Sequence, residues 1–192
     1  MPALFAGATR SGKIRGVNSG AMNIYLVGLM GAGKTTVGRQ LARRLGRRFM
    51  DSDHEIETRT GVSVPTIFEI EGEDGFRRRE AQTIKDLTAE SGIVLATGGG
   101  VVLDPENRSA LHDTGWVVYL DVPPDLLHER TRNDRNRPLL RVENPLARLR
   151  DLYAQRDPLY RETAHCIAEG ARMPASTMVN HLLREYLRTC EP

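Results

Sequence analysis

One stretch limits the possible folds of this 192-residue chain more than any other: the apolar run Asn23-Ile-Tyr-Leu-Val27 passes directly into Gly28-Leu-Met-Gly-Ala-Gly33-Lys34-Thr35-Thr36. A buried strand that ends in such a turn fits G-x-x-x-x-G-K-[ST], whose backbone N–H groups turn inward around phosphate oxygens. A helix over 34–45, with Val37, Leu41 and Leu45 on one face and Gly46 to end it, aims its positive end at the same anion. Gly31, Ala32, Gly33, Lys34, Thr35 and Thr36 are therefore expected to bind a nucleotide. Lys34 would reach its outer phosphates, and the Thr35 hydroxyl would ligate magnesium. The chain also supplies a control. Gly7-Ala-Thr-Arg-Ser-Gly12-Lys13 repeats the glycine and lysine spacing, but Ile14 cannot hold a metal, and neither a strand nor a helix is expected beside it.

The rest of the chain alternates between the two periodicities. Strands are expected over 23–27, 49–51, 93–96, 116–120 and 165–168, and helices over 34–45, 52–60, 64–71, 74–91, 105–113, 124–131, 145–153 and 175–188. Alternating β and α implies a parallel sheet covered on both faces. Residues 1–21 contain no acid and read as a flexible N-terminal extension, leaving 22–192 as one domain. A net charge of +2 and 5% aromatic residues give no reason to expect a nucleic-acid partner. Cys166 and Cys190 form no CxxC and the histidines have no ligand spacing, so a reducing cytoplasm is expected rather than disulfides or zinc. No apolar run is long enough for a membrane span.

A phosphate loop does not fix a reaction. No N-K-x-D element for guanine occurs, so a small kinase with an acceptor site is the better expectation than a switch. Asp51-Ser52-Asp53 closes the second strand, and ligands of open α/β sheets gather at the strands' carboxyl ends. Asp51 would hold magnesium and Asp53 an acceptor hydroxyl, the lesser alternative for Asp53 being the N-cap of the next helix. In Phe76-Arg-Arg-Arg-Glu80 the arginines point about 100° apart, so one can face inward toward an anion while the others form a solvated face. Thr97-Gly98-Gly99-Gly100 follows the third strand, where three glycines suit a close approach of backbone to ligand. Residues 132–143 have no period and many charges; they read as a mobile lid carrying Arg137 to the phosphates, or as a solvated linker. Arg156 is expected beyond a helix, and Arg172 and Pro174 in a loop where a base could stack.

Taken in order, GLMGAGKTT, DSD, FRRRE, TGGG, RPL and RDPLY resemble shikimate kinase, over nearly all of the chain from about Met22 onward. The resemblance implies a P-loop kinase fold similar to nucleoside monophosphate kinases, with a five-stranded parallel sheet, helices on both faces, a substrate-binding helical region at about 52–91 and a mobile lid. It implies transfer of the γ-phosphate of ATP, with Mg2+, to the 3-hydroxyl of shikimate in aromatic amino-acid biosynthesis. Lys34, Asp53 and Arg137 would be catalytic, and Thr35 and Asp51 would be metal-associated. Asp53, Arg77, Gly98, Gly99, Gly100 and Arg156 would bind shikimate. Arg137 and Arg172 would join the nucleotide site. One departure is that the third strand does not end in an aspartate, so metal binding rests on Thr35 and Asp51. A monomer is expected. The alternatives are a kinase for another small hydroxy acid, such as gluconate, and a nucleotide-dependent binding module without catalysis.

Overall fold

The computed structural model describes residues 22–133, 138–169 and 173–190. The expected extension at 1–21, the lid residue Arg137 and the base-side residue Arg172 lie outside the described residues. Among the described residues five strands, β1 (Asn23–Val27), β2 (Arg48–Asp51), β3 (Ile93–Ala96), β4 (Gly115–Asp121) and β5 (Cys166–Glu169), form one sheet in the order β2-β3-β1-β4-β5. Every pairing is parallel, as the alternation of strands and helices required. The registers Leu26↔Ala96 and Asp51↔Ala96 bring the carboxyl ends of β1, β2 and β3 to a common rim.

Among the same residues seven helices connect the strands: α1 (Lys34–Leu45), α2 (Ser52–Thr60), α3 (Val64–Thr88), α4 (Pro105–Thr114), α5 (Pro124–Thr131), α6 (Pro145–Thr163) and α7 (Ala175–Cys190). α1 packs on α7, while α3, α4 and α6 pack in sequence, so the sheet is flanked on both faces. That sandwiching explains why Ile24, Leu26, Val94, Leu95, Val117 and Val118 are all fully buried although neighbouring side chains point to opposite faces. A second, smaller core of Ile56, Ile67 and Phe76, flanked by Val64 and Phe68, lies between α2 and α3, apart from the core of the sheet.

Three expectations need correction. The two helices expected at 64–71 and 74–91 are present within α3 as separate segments divided by Gly72 at φ 69° and ψ −175°, a backbone region essentially reserved for glycine, but the second ends at Thr88 and not at 91. The helix expected to stop at 153 continues to Thr163, with Pro158 inside it. Its buried face, Leu149, Leu152, Arg156, Tyr160 and Thr163, keeps helical spacing past the proline, so Arg156 lies within a helix and not beyond one. Within the stretch expected to be irregular, Pro138–Leu140 forms a 3₁₀ turn; another, Val101–Leu103, comes after the glycine run.

Two histidines join the far ends of these elements. His165, buried just before β5, accepts a hydrogen bond on Nδ1 from the Val117 amide at 3.1 Å, and its own amide donates to the Val117 carbonyl at 2.9 Å. Its ring stacks on His112, with centroids 4.2 Å apart, and His112 Nδ1 donates to the Thr163 carbonyl at 3.1 Å. Burial, reinforced by the neighbouring His112 and opposed only by Asp113, pushes His165 down to about 4. An unfolded histidine titrates near 6.5, so between about pH 6.5 and 4 the unfolded chain takes up a proton that the folded chain refuses. Stability is therefore unaffected by this group above that window and falls within it, by up to about 1.4 kcal/mol per pH unit. His165→Asn keeps an acceptor for Val117 and cannot titrate; its urea midpoint should fall less steeply than that of the wild type from pH 6.5 to 4.5. Parallel curves would contradict this assignment.

Candidate active site

The rim of the sheet is built around an open helix end. α1 begins after Gly33, which is left-handed at φ 95°; no side chain caps it and its first turn holds no acid. Its orphan N–H groups and those of the preceding loop are thus available to an anion. The loop is braced from behind. A Cβ on Gly31 would meet Thr131 Cγ2 at 2.7 Å, and one on Gly28 would meet the Leu120 carbonyl oxygen at 2.8 Å. Lys34 Nζ, itself buried, donates to the carbonyls of Gly28 at 2.7 Å and Leu29 at 2.9 Å, bridging the mouth of the loop.

β2 delivers the acid pair to this point. Asp51 Oδ2 accepts from the Thr35 hydroxyl at 2.9 Å, while its Oδ1 accepts from the amides of Asp53 at 3.2 Å and His54 at 3.4 Å. Asp51 is therefore the N-cap of α2, which removes the reading of Asp53 as the cap. Asp53 is left to face two adjoining clefts. The larger, of about 780 Å³, is lined by Gly31, Ala32, Gly33, Lys34, Thr35 and Thr36 and extends to Arg39, Arg130 and Met173. The smaller, of about 450 Å³, contains all six residues expected to hold the acceptor: Asp53, Arg77, Gly98, Gly99, Gly100 and Arg156. Both volumes lie in the range of small-molecule sites.

The glycine run works here by absence of side chains. The Gly98 amide donates to Ser52 Oγ at 2.9 Å, tying β3 to the start of α2. A Cβ on Gly98 would lie 2.7 Å from both Asp53 Oδ1 and Glu80 Oε1, so these carboxylates converge over it. The guanidinium of Arg77 lies directly against Gly100, leaving no room for a side chain there. Gly99 turns its carbonyl to Arg156 Nη1 at 3.1 Å and to the Tyr160 hydroxyl.

Of the three arginines in a row, Arg77 is the one that turns inward; Arg78 and Arg79 are exposed, and Arg79 pairs with Glu71. Arg77 is held by Glu73 at 2.8 Å and Glu80 at 2.7 Å. Sequence reasoning missed Glu80, three residues beyond Arg77 and only 1% exposed. Burial pushes its carboxyl up to about 7 against the pull of Arg77, and the charge of Asp53 adds to the rise. Arg77 is itself drawn down by burial, but Glu80 and Glu73 more than offset this and keep it charged. Burial likewise lowers Arg156. Two partly desolvated guanidinium groups thus flank a cleft whose remaining walls include Phe68, Phe76 and Leu139, a setting suited to a small anion with an apolar body. Phe68 and Phe76, with ring centroids 4.8 Å apart, were legible only as core. Tyr160 and Arg130 were missed as well; Arg130 donates to the Gly31 carbonyl at 3.4 Å from the end of α5.

For magnesium, the described residues contain no group of three or more His, Cys, Asp or Glu side chains. The Thr35 hydroxyl and Asp51 carboxylate do provide two hard oxygens side by side at the phosphate loop. That set suits Mg2+, which takes few protein ligands and completes its shell with phosphate and water oxygens.

A family model described as shikimate kinase matches residues 30–187. The chain is 74% identical over 166 residues to the shikimate kinase of Dechloromonas aromatica (strain RCB), covering 86% of this chain and 91% of that protein. It is 61% identical over 174 residues to the shikimate kinase of Aromatoleum aromaticum, covering 88% of this chain and 99% of the relative. Among solved structures, the shikimate kinase of Acinetobacter baumannii in complex with shikimate superposes with a TM-score of 0.86 at 54% identity, covering 87% of this chain and 93% of that one.

Gly98→Ala tests the convergence of the two carboxylates. The methyl group must displace Asp53 or Glu80, and a shift of about 1 Å at a reacting group costs roughly a hundredfold in rate. Phosphotransfer activity should fall by about that factor, while nucleotide binding and melting temperature stay close to wild type. Full activity in this variant would show that the positions of these carboxylates do not matter.

Proposed function

Because this chain belongs to the shikimate kinase family, and phosphorylates shikimate with ATP to give shikimate 3-phosphate in the shikimate pathway, we propose that the transfer occurs across Asp53, between a nucleotide in the larger cleft and shikimate in the smaller one. The observation that carries this reading is that Asp53 lines both clefts at their junction.

The triphosphate of ATP lies in the loop formed by Gly31, Ala32, Gly33, Lys34, Thr35 and Thr36, against the open end of α1. Lys34 exchanges the Gly28 and Leu29 carbonyls for the outer phosphate oxygens, a gain in charge complementarity for a buried ammonium. Thr35 and Asp51 hold Mg2+, which when bound neutralises charge on the phosphates. In the smaller cleft, Arg77 and Arg156 hold the shikimate carboxylate, each charge-assisted hydrogen bond contributing about 1.5–3 kcal/mol. Gly98, Gly99 and Gly100 form the wall against which the ring lies.

With the carboxylate fixed at one end, the 3-hydroxyl meets Asp53. Asp53 accepts its hydrogen bond and directs an oxygen lone pair at the γ-phosphorus. The new P–O bond forms as the bond to the β–γ bridging oxygen breaks, and the hydroxyl proton passes to Asp53. Little basicity is needed early in a loose transition state, so orientation is the larger part of its task. This reading also suits a cytoplasmic enzyme, since Cys166 is free and buried. Among the described residues no helix is long and apolar enough to cross a membrane.

Steady-state kinetics on two variants test these roles. Arg77→Ala should raise the shikimate KM by about ten- to a hundredfold, with the ATP KM nearly unchanged. Asp53→Asn should lose about two to four orders of magnitude in kcat and still bind ATP. An unchanged shikimate KM in the first variant, or near-normal kcat in the second, removes the corresponding role. Chelation of divalent ions should abolish turnover, and restoring Mg2+ should recover it.

A further inference from the structure

Tyr160 is fully buried and lines neither cleft. Its ring stacks on Tyr119, with centroids 4.8 Å apart and planes 26° apart, a contact that phenylalanine would make equally well. Its hydroxyl donates to the Gly99 carbonyl, which also accepts from Arg156 Nη1 at 3.1 Å. Tyr160 lies one helical turn beyond Arg156, so α6 grips this single oxygen with two side chains from one face.

The next residue serves the other arginine, since the guanidinium of Arg77 lies directly against Gly100. The peptide between Gly99 and Gly100 is therefore a shared reference point for both guanidinium groups. In a trans peptide the carbonyl and the following N–H point in opposite directions. Anchoring the Gly99 carbonyl toward α6 thus aims the Gly100 N–H away from α6. Arg156 is also hydrogen-bonded to the Tyr160 side chain itself, while its buried Nε has no hydrogen-bond partner among the described residues, so Tyr160 and the Gly99 carbonyl together fix its guanidinium.

We infer that Tyr160 is a positioning residue for the acceptor, whose hydroxyl locks the Gly99–Gly100 peptide and through it sets the geometry in which Arg156 and Arg77 meet a substrate carboxylate. It touches no substrate itself. The proposal rests on the reading that these arginines hold the shikimate carboxylate.

Tyr160→Phe removes the hydroxyl and keeps the stack. The shikimate KM should rise by about five- to twentyfold, while the ATP KM stays within about twofold of wild type. Tyr119→Phe is the matched control: it removes a buried hydroxyl from the same stack, but one directed at Asp157, 3.0 Å away. Its shikimate KM should remain within about twofold of wild type. The proposal is overturned if Tyr160→Phe leaves the shikimate KM unchanged, or if both variants raise the KM values of both substrates alike, as simple loosening of the fold would. Arg77→Ala and Arg156→Ala, measured in parallel, separate the two levels. If they raise the shikimate KM and Tyr160→Phe does not, only the role of Tyr160 falls. If neither raises it, the carboxylate reading falls and takes the proposal with it.

Discussion

An α-helix that starts without a cap leaves several N–H groups unsatisfied, and in this protein the rest of the site is arranged around that deficit. α1 has no side-chain cap and no acid in its first turn, and it is entered through a left-handed glycine. Left alone, such an end is unfavourable; facing an oxyanion it becomes a binding site. The neighbouring groups are consistent with that role. Lys34 is buried at the mouth of the loop, and Thr35 and Asp51 join the first helix to the end of β2.

Parallel pairing carries the arrangement further. Because β1, β2 and β3 run the same way and finish level, the segments that leave them emerge at one rim: the phosphate loop after β1, Asp53 after β2 and the glycine run after β3. The two clefts are thereby adjacent as a matter of topology. The distinguishing groups in and behind the smaller cleft are supplied from farther away in the chain, by α3 with Arg77 and Glu80 and by α6 with Arg156 and Tyr160.

Much of this was legible in the amino-acid sequence where the determinants are contiguous. The strand, turn and helix at 23–45 combine an apolar run, glycines and a single helical face, and these local signals agree with one another. From the residues alone the inward turn of Arg77 was one choice among three arginines, and the resemblance was needed to name it, because the face of α3 that turns inward follows from the burial of Phe76 with Ile56, Ile67 and Phe68. The length of α6 was hidden by Pro158, which ordinarily costs about 3 kcal/mol in a helix interior, and by the fact that its buried face contains an arginine and a threonine. Glu80 and Tyr160 escaped notice for a related reason: a polar side chain in a helix reads as solvent-facing unless its distant partners are known. The role of Asp51 as helix cap, in place of Asp53, turned on which carboxylate reaches the amides, a matter of where α2 begins after β2.

The small core beneath α2 and α3 has a consequence of its own. Ile56, Ile67 and Phe76 are its buried members, set apart from the apolar mass of the sheet, and Ile67 and Phe76 stand on either side of the break at Gly72. So modest a cluster forms a weaker cooperative unit than the strands. This corner of the molecule will open locally long before the sheet comes apart, and an occupant that bridges Arg77 to Arg156 would stitch it shut. Occupancy of the smaller cleft and local order would then be two aspects of a single equilibrium, whereas the loop after β1, backed by the sheet, needs no such closing.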